Sequence, residues 1–522
     1  MRKLVVLVVV LAILVLGGYY AMGAITERTI KSNLATVNRT NGINAQVEKY
    51  HRGWFTSAAL LHWQINIPER QMKDANGQMQ TIPAQTLTVK MPLKIYHGPI
   101  IFANKTVRFG MGYGSTDIPL PDQYQQQFNS YFTNGSTQPK LNLSLFVTYL
   151  NNSQIEMAIP NFKLIAQQDQ SEFDWMGMKG KVNVTSKADK INGDFTIKGI
   201  QFKKADNIAV LSKVSSEYNL HNTEAGLYVG TFNVKLPSFV VDNKGQRIFE
   251  LSDFDMDSNS DIKNGLLSSN FKSSINKIIA NGKQFGPGNL EVAIRNLDAD
   301  ALGRIKQQAQ HIQQSATDLE KQQAMFAILP EIPKLLSKGA EFEISKLNFV
   351  MPEGTIEGNL QVSLPQGEHN NPLELMQTVQ GKGRLRVPAE IIRRGLVEAN
   401  RQKLVAQHTT AMQQQNVNST TTTTNNMNST TTIQPNNATS ANEQTQQSTS
   451  NQTTQQLAAT VQAGLPADIS QQAVNMTNQQ LTSLVQSGVL TVDGNYYVIE
   501  VALKQGQLQV NGKPFNSAML KF

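Results

Sequence analysis

Apolar and polar positions change rhythm several times along this chain, and each rhythm names an element. After Met1-Arg2-Lys3 no charged residue occurs until Glu27. Roughly 20 apolar residues at 1.5 Å rise cover a hydrocarbon core of about 30 Å, so residues 1–26 are expected to form an N-terminal transmembrane anchor. The basic pair ahead of the run favours a cytoplasmic N-terminus and export of the rest. Ala21-Met22-Gly23 also fits a signal-peptide cleavage site, which leaves anchor and cleaved leader both open. A short helix is expected over 26–37, before the first turn.

From about Gln46 the period falls to two. Leu141, Leu143, Leu145, Val147 and Tyr149 alternate with Asn142, Ser144 and Thr148, the pattern of a strand with one buried face. Seven Asn-Gly pairs, at Asn41, Asn76, Asn134, Asn192, Asn264, Asn281 and Asn511, mark hairpins, because both residues tolerate positive φ. A short form (glycine, small polar, apolar, polar, valine, any residue, aliphatic) recurs at 230–236, 288–294 and 358–364, each copy a glycine turn opening a half-buried strand. The fold class is therefore α+β, dominated by a long antiparallel meander of hairpins with a few packing helices.

Period 3.6 appears in three places. Leu302, Ile305, Ala309, Ile312, Ala316 and Leu319 put an apolar stripe on a helix near 298–327, short for a coiled coil and suited to packing on the sheet. A second helix is expected near 388–407, carrying Ile391, Ile392, Leu396 and Val397, and a third within 457–486. Between them, 409–456 is almost wholly Thr, Asn, Gln and Ser with Glu443 as its only charge, too little apolar surface to offset the entropy of ordering. The domain organisation read from this is an anchor at 1–26, a β-rich extracytoplasmic body at 27–408, a disordered insertion at 409–456, and a helix with a closing β-hairpin at 457–522.

With 522 residues the chain can bury a large core, and the absence of cysteine removes disulfides, thiolate metal sites and a cysteine nucleophile. The net charge of +8 is spread among acidic residues without a basic run, which argues against nucleic acid. Seven dispersed histidines show no zinc spacing. Asp253, Asp255 and Asp257 open like a calcium loop, but Ser258 replaces the required glycine and Asn264 the bidentate glutamate. No nucleophile or acid with a positioned partner stands out, so no catalytic, cofactor or metal residues are assigned and no enzyme is expected.

Three blocks carry a resemblance. Tyr50-His51-Arg52-Gly53-Trp54-Phe55-Thr56-Ser57, soon after the apolar segment, resembles the Y-x-R-G-x-F-x-S block of the YdgA-like proteins, a bacterial envelope family of uncharacterised function. Gly286-Pro287-Gly288 followed by Asn296-Leu297-Asp298-Ala299 is similar to its central block, and Tyr496-Tyr497 with Asn511-Gly512-Lys513 to its closing hairpin. The resemblance spans almost the whole chain, apart from the Thr/Asn/Gln insertion. It implies Gram-negative bacteria, an inner-membrane anchor through residues 4–25, a periplasmic body and self-association, and it implies no catalytic residues. The residues themselves read as structural: Gly53 as a backbone device, Arg52 as a partner for a carboxylate or for Trp54, and Gly286-Pro287-Gly288 as a fixed bend.

Two functions are compatible with all this. The first is a non-catalytic envelope scaffold whose sheet is covered by the helices near 302–319 and 391–397. The alternative is a lipid or amphiphile handler with an open apolar sheet face, as in the AsmA-like envelope proteins, which is an analogy of fold. Aliphatic side chains on a face that no helix covers would separate them.

Overall fold

The computed structural model describes residues 16–31, 34, 43–67, 69–73, 79–314, 322, 325–367, 377–422 and 468–516. The chain divides into two compact units. One comprises Met1–Pro352, Glu357–Lys382 and Lys504–Gly506, and the other Glu353–Ile356, Gly383–Leu503 and Gln507–Phe522.

In the first unit, helix α1 (16–31) precedes β1 (Ile43–Arg52), β2 (Thr56–Ile67), β3 (Gln85–His97), β4 (Ile100–Ala103), β5 (Thr106–Phe109) and β6 (Gly112–Ile118). After α2 (Gln125–Tyr131) come β7 (Leu141–Val147), β8 (Ser153–Ile159), β9 (Met178–Val184), β10 (Lys190–Ile197), β11 (Val214–Asn222) and β12 (Tyr228–Asn243). The series closes with β13 (Gln246–Lys263), β14 (Leu266–Ala280), β15 (Gly288–Asp298), helices α3 (Ala299–Gln314) and α4 (Glu331–Leu336), and β16 (Glu341–Met351). Leaving aside β4 and β5, which pair only with each other, each strand pairs antiparallel with the next from β1 to β16. The sheet forks at β12. Its first half pairs with β11, and its second half with Asn207–Leu211, which leads through Ile200–Lys204 and Glu172–Trp175 to Phe162–Ile165.

Asn-Gly chemistry makes the tight turns at Asn264-Gly265, Asn281-Gly282 and Asn511-Gly512, where both residues have positive φ. Asn192-Gly193 instead lies inside β10, and Asn41 and Asn76 lie outside the described residues. Fully buried apolar side chains concentrate at the start of the sheet. Leu34, Ala45, Ala59, Leu61 and Ile95 form one cluster under α1, and Ile101, Ala103 and Tyr113 form a second.

Three expectations are corrected in detail. The last two turns of the uncharged N-terminal run do not extend away from the body: Tyr19, 8% exposed, packs against Gly98, and Gly23 against the His97 ring. No helix among the described residues is long and apolar enough to cross a membrane, and residues 1–15, the bulk of the expected anchor, lie outside them. The stripe near 298–327 gives α3, whose remainder after Gln314 falls largely outside the described residues. It does not lie across the sheet: Gly303 abuts the carbonyl of Ala225 in the turn before β12, and Lys306 donates to Gly226 O at 2.6 Å.

In the second unit, α5 (Ala389–Thr422) packs on α6 (Asp468–Gln486), followed by β17 (Thr491–Asp493), β18 (Tyr496–Lys504), β19 (Gln507–Val510) and β20 (Lys513–Pro514). Ile469, Ala473, Thr477 and Leu481, four residues apart, are the buried stripe of α6. Asn400 of α5, 5% exposed, donates to Thr477 Oγ1 at 3.0 Å and Gln480 Oε1 at 2.8 Å. The third correction is the length of α5. It continues to Thr422, into the tract where disorder is expected from Thr409, because once a packed segment has nucleated a helix each further residue adds a hydrogen bond. Residues 423–467 lie outside the described residues.

Candidate functional site

The Y-x-R-G-x-F-x-S block forms the junction between α1 and the sheet. Gly53 N–H donates to Thr56 O at 2.9 Å, closing the β1–β2 turn. A Cβ on Gly53 would stand 2.6 Å from that carbonyl, so glycine is required here by close approach and not by a positive φ. The turn presents its side chains to α1. Arg52 reaches Glu27 at 3.5 Å and Tyr20 Oη at 3.1 Å, with its guanidinium 4.8 Å from the Tyr20 ring; Trp54 meets the same ring at 5.4 Å. Arg52 therefore pairs with a carboxylate as expected but stacks on Tyr20, not on Trp54. Phe55 meets Tyr19 edge-on at 4.8 Å.

Beneath this contact lies a pair that the dispersed histidines did not announce. Ser57 and His97, 3% and 1% exposed, share a 3.0 Å hydrogen bond through Oγ and Nε2, while His97 Nδ1 is 3.1 Å from Tyr19 O. The neutral ring with its proton on Nδ1 satisfies both bonds: it donates to the carbonyl and accepts from the hydroxyl. Burial depresses the His97 pKa, Arg52 adding to the effect. Tyr50 Oη is buried beside Ser57 without a hydrogen bond of normal geometry, and burial raises its pKa. A serine bonded to histidine has the look of a nucleophile and its base. Here α1 covers the histidine, with Gly23 against its ring and Tyr19 on its other nitrogen, so a substrate has no approach and the pair acts as a lock for the helix.

From Ser57 a single row of opposed residues crosses the sheet on one face. It runs through Ile95, Gly114, Leu145, Ile155, Val182, Gly193, Tyr218, Phe232, Ser258, Phe271 and Val292 to Ile344. At about 4.8 Å per strand the row has a contour of about 60 Å. Under α1 it is dry, with Ile95 at 2% exposure; further on it is open, with Leu145 at 42%, Ile155 at 36% and Phe232 at 37%. Among the described residues, no apolar side chain of β7–β11 is fully buried. The opposite face carries the row Lys94, Ser115, Ser144, Glu156, Lys181, Asp194, Glu217, Asn233, Asp257, Lys272, Glu291 and Lys346. Two shallow concavities of about 980 and 740 Å³ lie on it, both bordered by Asp194. The calcium-like run falls here too: Asp257 opposes Lys272 and Asp255 opposes Ser274, while Asp253 has φ +53 and accepts from Asn276 Nδ2 at 3.2 Å.

The three blocks thus occupy defined places, two in the first unit and one in the second, and a family model for a bacterial protein of unknown function (DUF945) matches residues 1–518. The chain belongs to this family. Neither a curated protein nor a solved structure matches it.

In this DUF945 chain the central block bends the backbone and starts a helix. The Gly286-Pro287 peptide is cis, Gly286 has φ +91, and its N–H donates to Val350 O at 2.7 Å. A Cβ on Gly288 would meet the Phe349 ring at 2.5 Å, so the bend seats β15 directly on β16. Asn296, at φ +60, donates to Gly339 O, Leu297 opposes Leu267, and Asp298 Oδ1 accepts from Ala301 N at 2.8 Å, capping α3. In the closing block Tyr497 opposes Val492, and Asn511 and Gly512 form the β19–β20 turn. Asn511 also accepts from Glu500 N at 2.8 Å and donates to Gly488 O and Val489 O just after α6. The site residues of the three blocks are therefore not brought together: each serves its own junction.

Proposed function

We propose that this protein is a non-catalytic, membrane-tethered envelope protein that binds lipid or another amphiphile along the open apolar row. The finer assignment, a YdgA-like protein held in the inner membrane of a Gram-negative bacterium through the front of the 4–25 run, whose end from Tyr19 docks on the body, with that body in the periplasm, belongs to the same reading. It is supported by the basic pair and uncharged run at the N-terminus. The observation that carries the lipid reading is the half-exposed state of Leu145, Ile155 and Phe232, in line with Ser57 at the foot of α1. Apolar side chains left in water forgo roughly 25 cal/mol per Å², which acyl chains lying across the row would recover.

An envelope scaffold, self-associating or holding another protein, is the second reading. It is favoured by the position of the concavities, which lie on the polar face and are open to a polar partner. The two separate in one experiment: photoreactive residues placed at Leu145 or Phe232, and at Asn219 on the polar face, in cells producing the full chain. Lipid adducts confined to Leu145 and Phe232 are the expected result. Protein adducts at those positions would make the scaffold the better account, and the absence of lipid adducts removes the lipid reading.

A further inference from the structure

Hairpin β4–β5 is amphipathic in an unusual sense, because the face it turns outward is the apolar one. Ile101 and Ala103 point inward, 2% and 4% exposed, against Tyr113. The cross-strand pairs Ile100 with Phe109 and Phe102 with Val107 point outward, at 39%, 64%, 68% and 53% exposure. A two-stranded hairpin gains no stability from apolar side chains held in water, so this face calls for a partner.

Its neighbours repeat the theme. Tyr149 Oη bonds to Pro99 O, and Tyr149 and Leu150 are 50% and 78% exposed. Across His97, Phe55 and Trp54 are 51% and 57% exposed, and on α1 Leu16 and Tyr20 are 42% and 45%. Tyr19 Oη donates to Ile100 O at 2.5 Å, which fixes the start of α1 against the root of the hairpin. The chain ahead of this point, residues 4–15, consists of Leu, Val, Ala and Ile alone. Lys105 at the hairpin tip is exposed, whereas Arg108 opposes Ile101 on the inward side and lies 4.3 Å over the Tyr113 ring.

We propose that this surface is a docking face for an anionic phospholipid bilayer, with Ile100, Phe102, Val107 and Phe109 entering the headgroup–acyl boundary beside the N-terminal apolar segment. The choice of occupant follows from continuity: the patch surrounds the point where an apolar segment joins the body, and its exposed residues are aromatic and aliphatic with Lys105 at the hairpin tip, a composition suited to a membrane interface. The proposal rests on the tethering reading above and adds a second contact, one that fixes the orientation of the foot of the sheet on the membrane.

The cysteine-free chain makes the test direct. The full chain carrying Phe102→Cys, or Lys263→Cys at the end of β13 as a control, is labelled with nitrobenzoxadiazole. It is then reconstituted with phosphatidylethanolamine–phosphatidylglycerol vesicles containing an acyl-chain nitroxide lipid. The expected result is flotation with the vesicles, a blue shift and nitroxide quenching at position 102, and iodide quenching only at position 263. Flotation with position 102 open to iodide overturns the docking face while leaving the tether intact. Shielding from iodide without nitroxide quenching, together with disulfide-linked dimers of the unlabelled Phe102→Cys chain, assigns the face to a second copy and overturns the proposal. Failure to float removes tether and docking face together.

Discussion

At the residue scale the Y-x-R-G-x-F-x-S block is legible as a unit, but its purpose is not, because the groups it serves lie elsewhere in the chain. Ser57 and His97 are 40 residues apart and Tyr19 is 78 from His97, so no spacing rule joins them. Their burial has a consequence for pH. His97 has its pKa lowered in the folded state, so its contribution to stability is fully present above the unfolded value of about 6.5 and is lost as pH falls through the lower folded value. Acidification below about pH 6.5 should therefore loosen α1 from the sheet, with a stability slope of at most about 1.4 kcal/mol per pH unit from this group. Urea midpoints measured across that range should slope for the natural chain and flatten for His97→Gln. An equal slope in both would assign the acid sensitivity to other groups. Gly53→Ala brings a Cβ to 2.6 Å from Thr56 O and should cost about 1–3 kcal/mol by distorting the same turn, read as a lowered urea midpoint.

At the element scale, strand periodicity and Asn-Gly turns foretell most of the meander. What escapes them are turns made by other residues in the same left-handed conformation: Lys244-Gly245, Gln505-Gly506 and Asn104-Lys105 each close a two-residue loop. Helix ends are less legible than helix faces. The stripe at 302–312 is visible in sequence, but that Asp298 begins α3 follows only from its bond to Ala301 N. Asp298→Ala should cost about 1 kcal/mol, the usual worth of an N-cap, while leaving the β14–β15 register unchanged by amide exchange. A second electrostatic pin is Glu250. Its bond to Lys277, helped by Ser252 and Arg247, holds its carboxyl down to about 2. This stabilisation is present above the ordinary carboxylate range and fades as pH falls from about 4.5 towards 2. Because its partners are partly exposed, Glu250→Gln should cost no more than about 1 kcal/mol at neutral pH.

At the scale of the whole chain, alternation foretells which residues share a face but not whether anything covers that face. Leu145 and Ile95 look alike in sequence; one is 42% exposed and the other 2%, because α1 lies over only the first strands. The difference can be measured. Leu145→Asp and Ile155→Asp should shift stability by no more than about 1 kcal/mol, as at surface positions, whereas Ile95→Asp should prevent folding by leaving an unpaired charge in the core. An environment-sensitive dye such as ANS should bind the native chain and lose signal with the first two substitutions. Unchanged dye binding would mean that the open row is not its site.

Strand-by-strand pairing in sequence order has one more implication. Where consecutive strands pair without long excursions between them, as from β12 to β15, a chain with one more hairpin would extend its apolar row by about 10 Å without disturbing the junction at Ser57, and a chain with one fewer would shorten it by the same step. Reach away from the α1 end is thus a quantity that evolution, or an engineer, can adjust in whole hairpins.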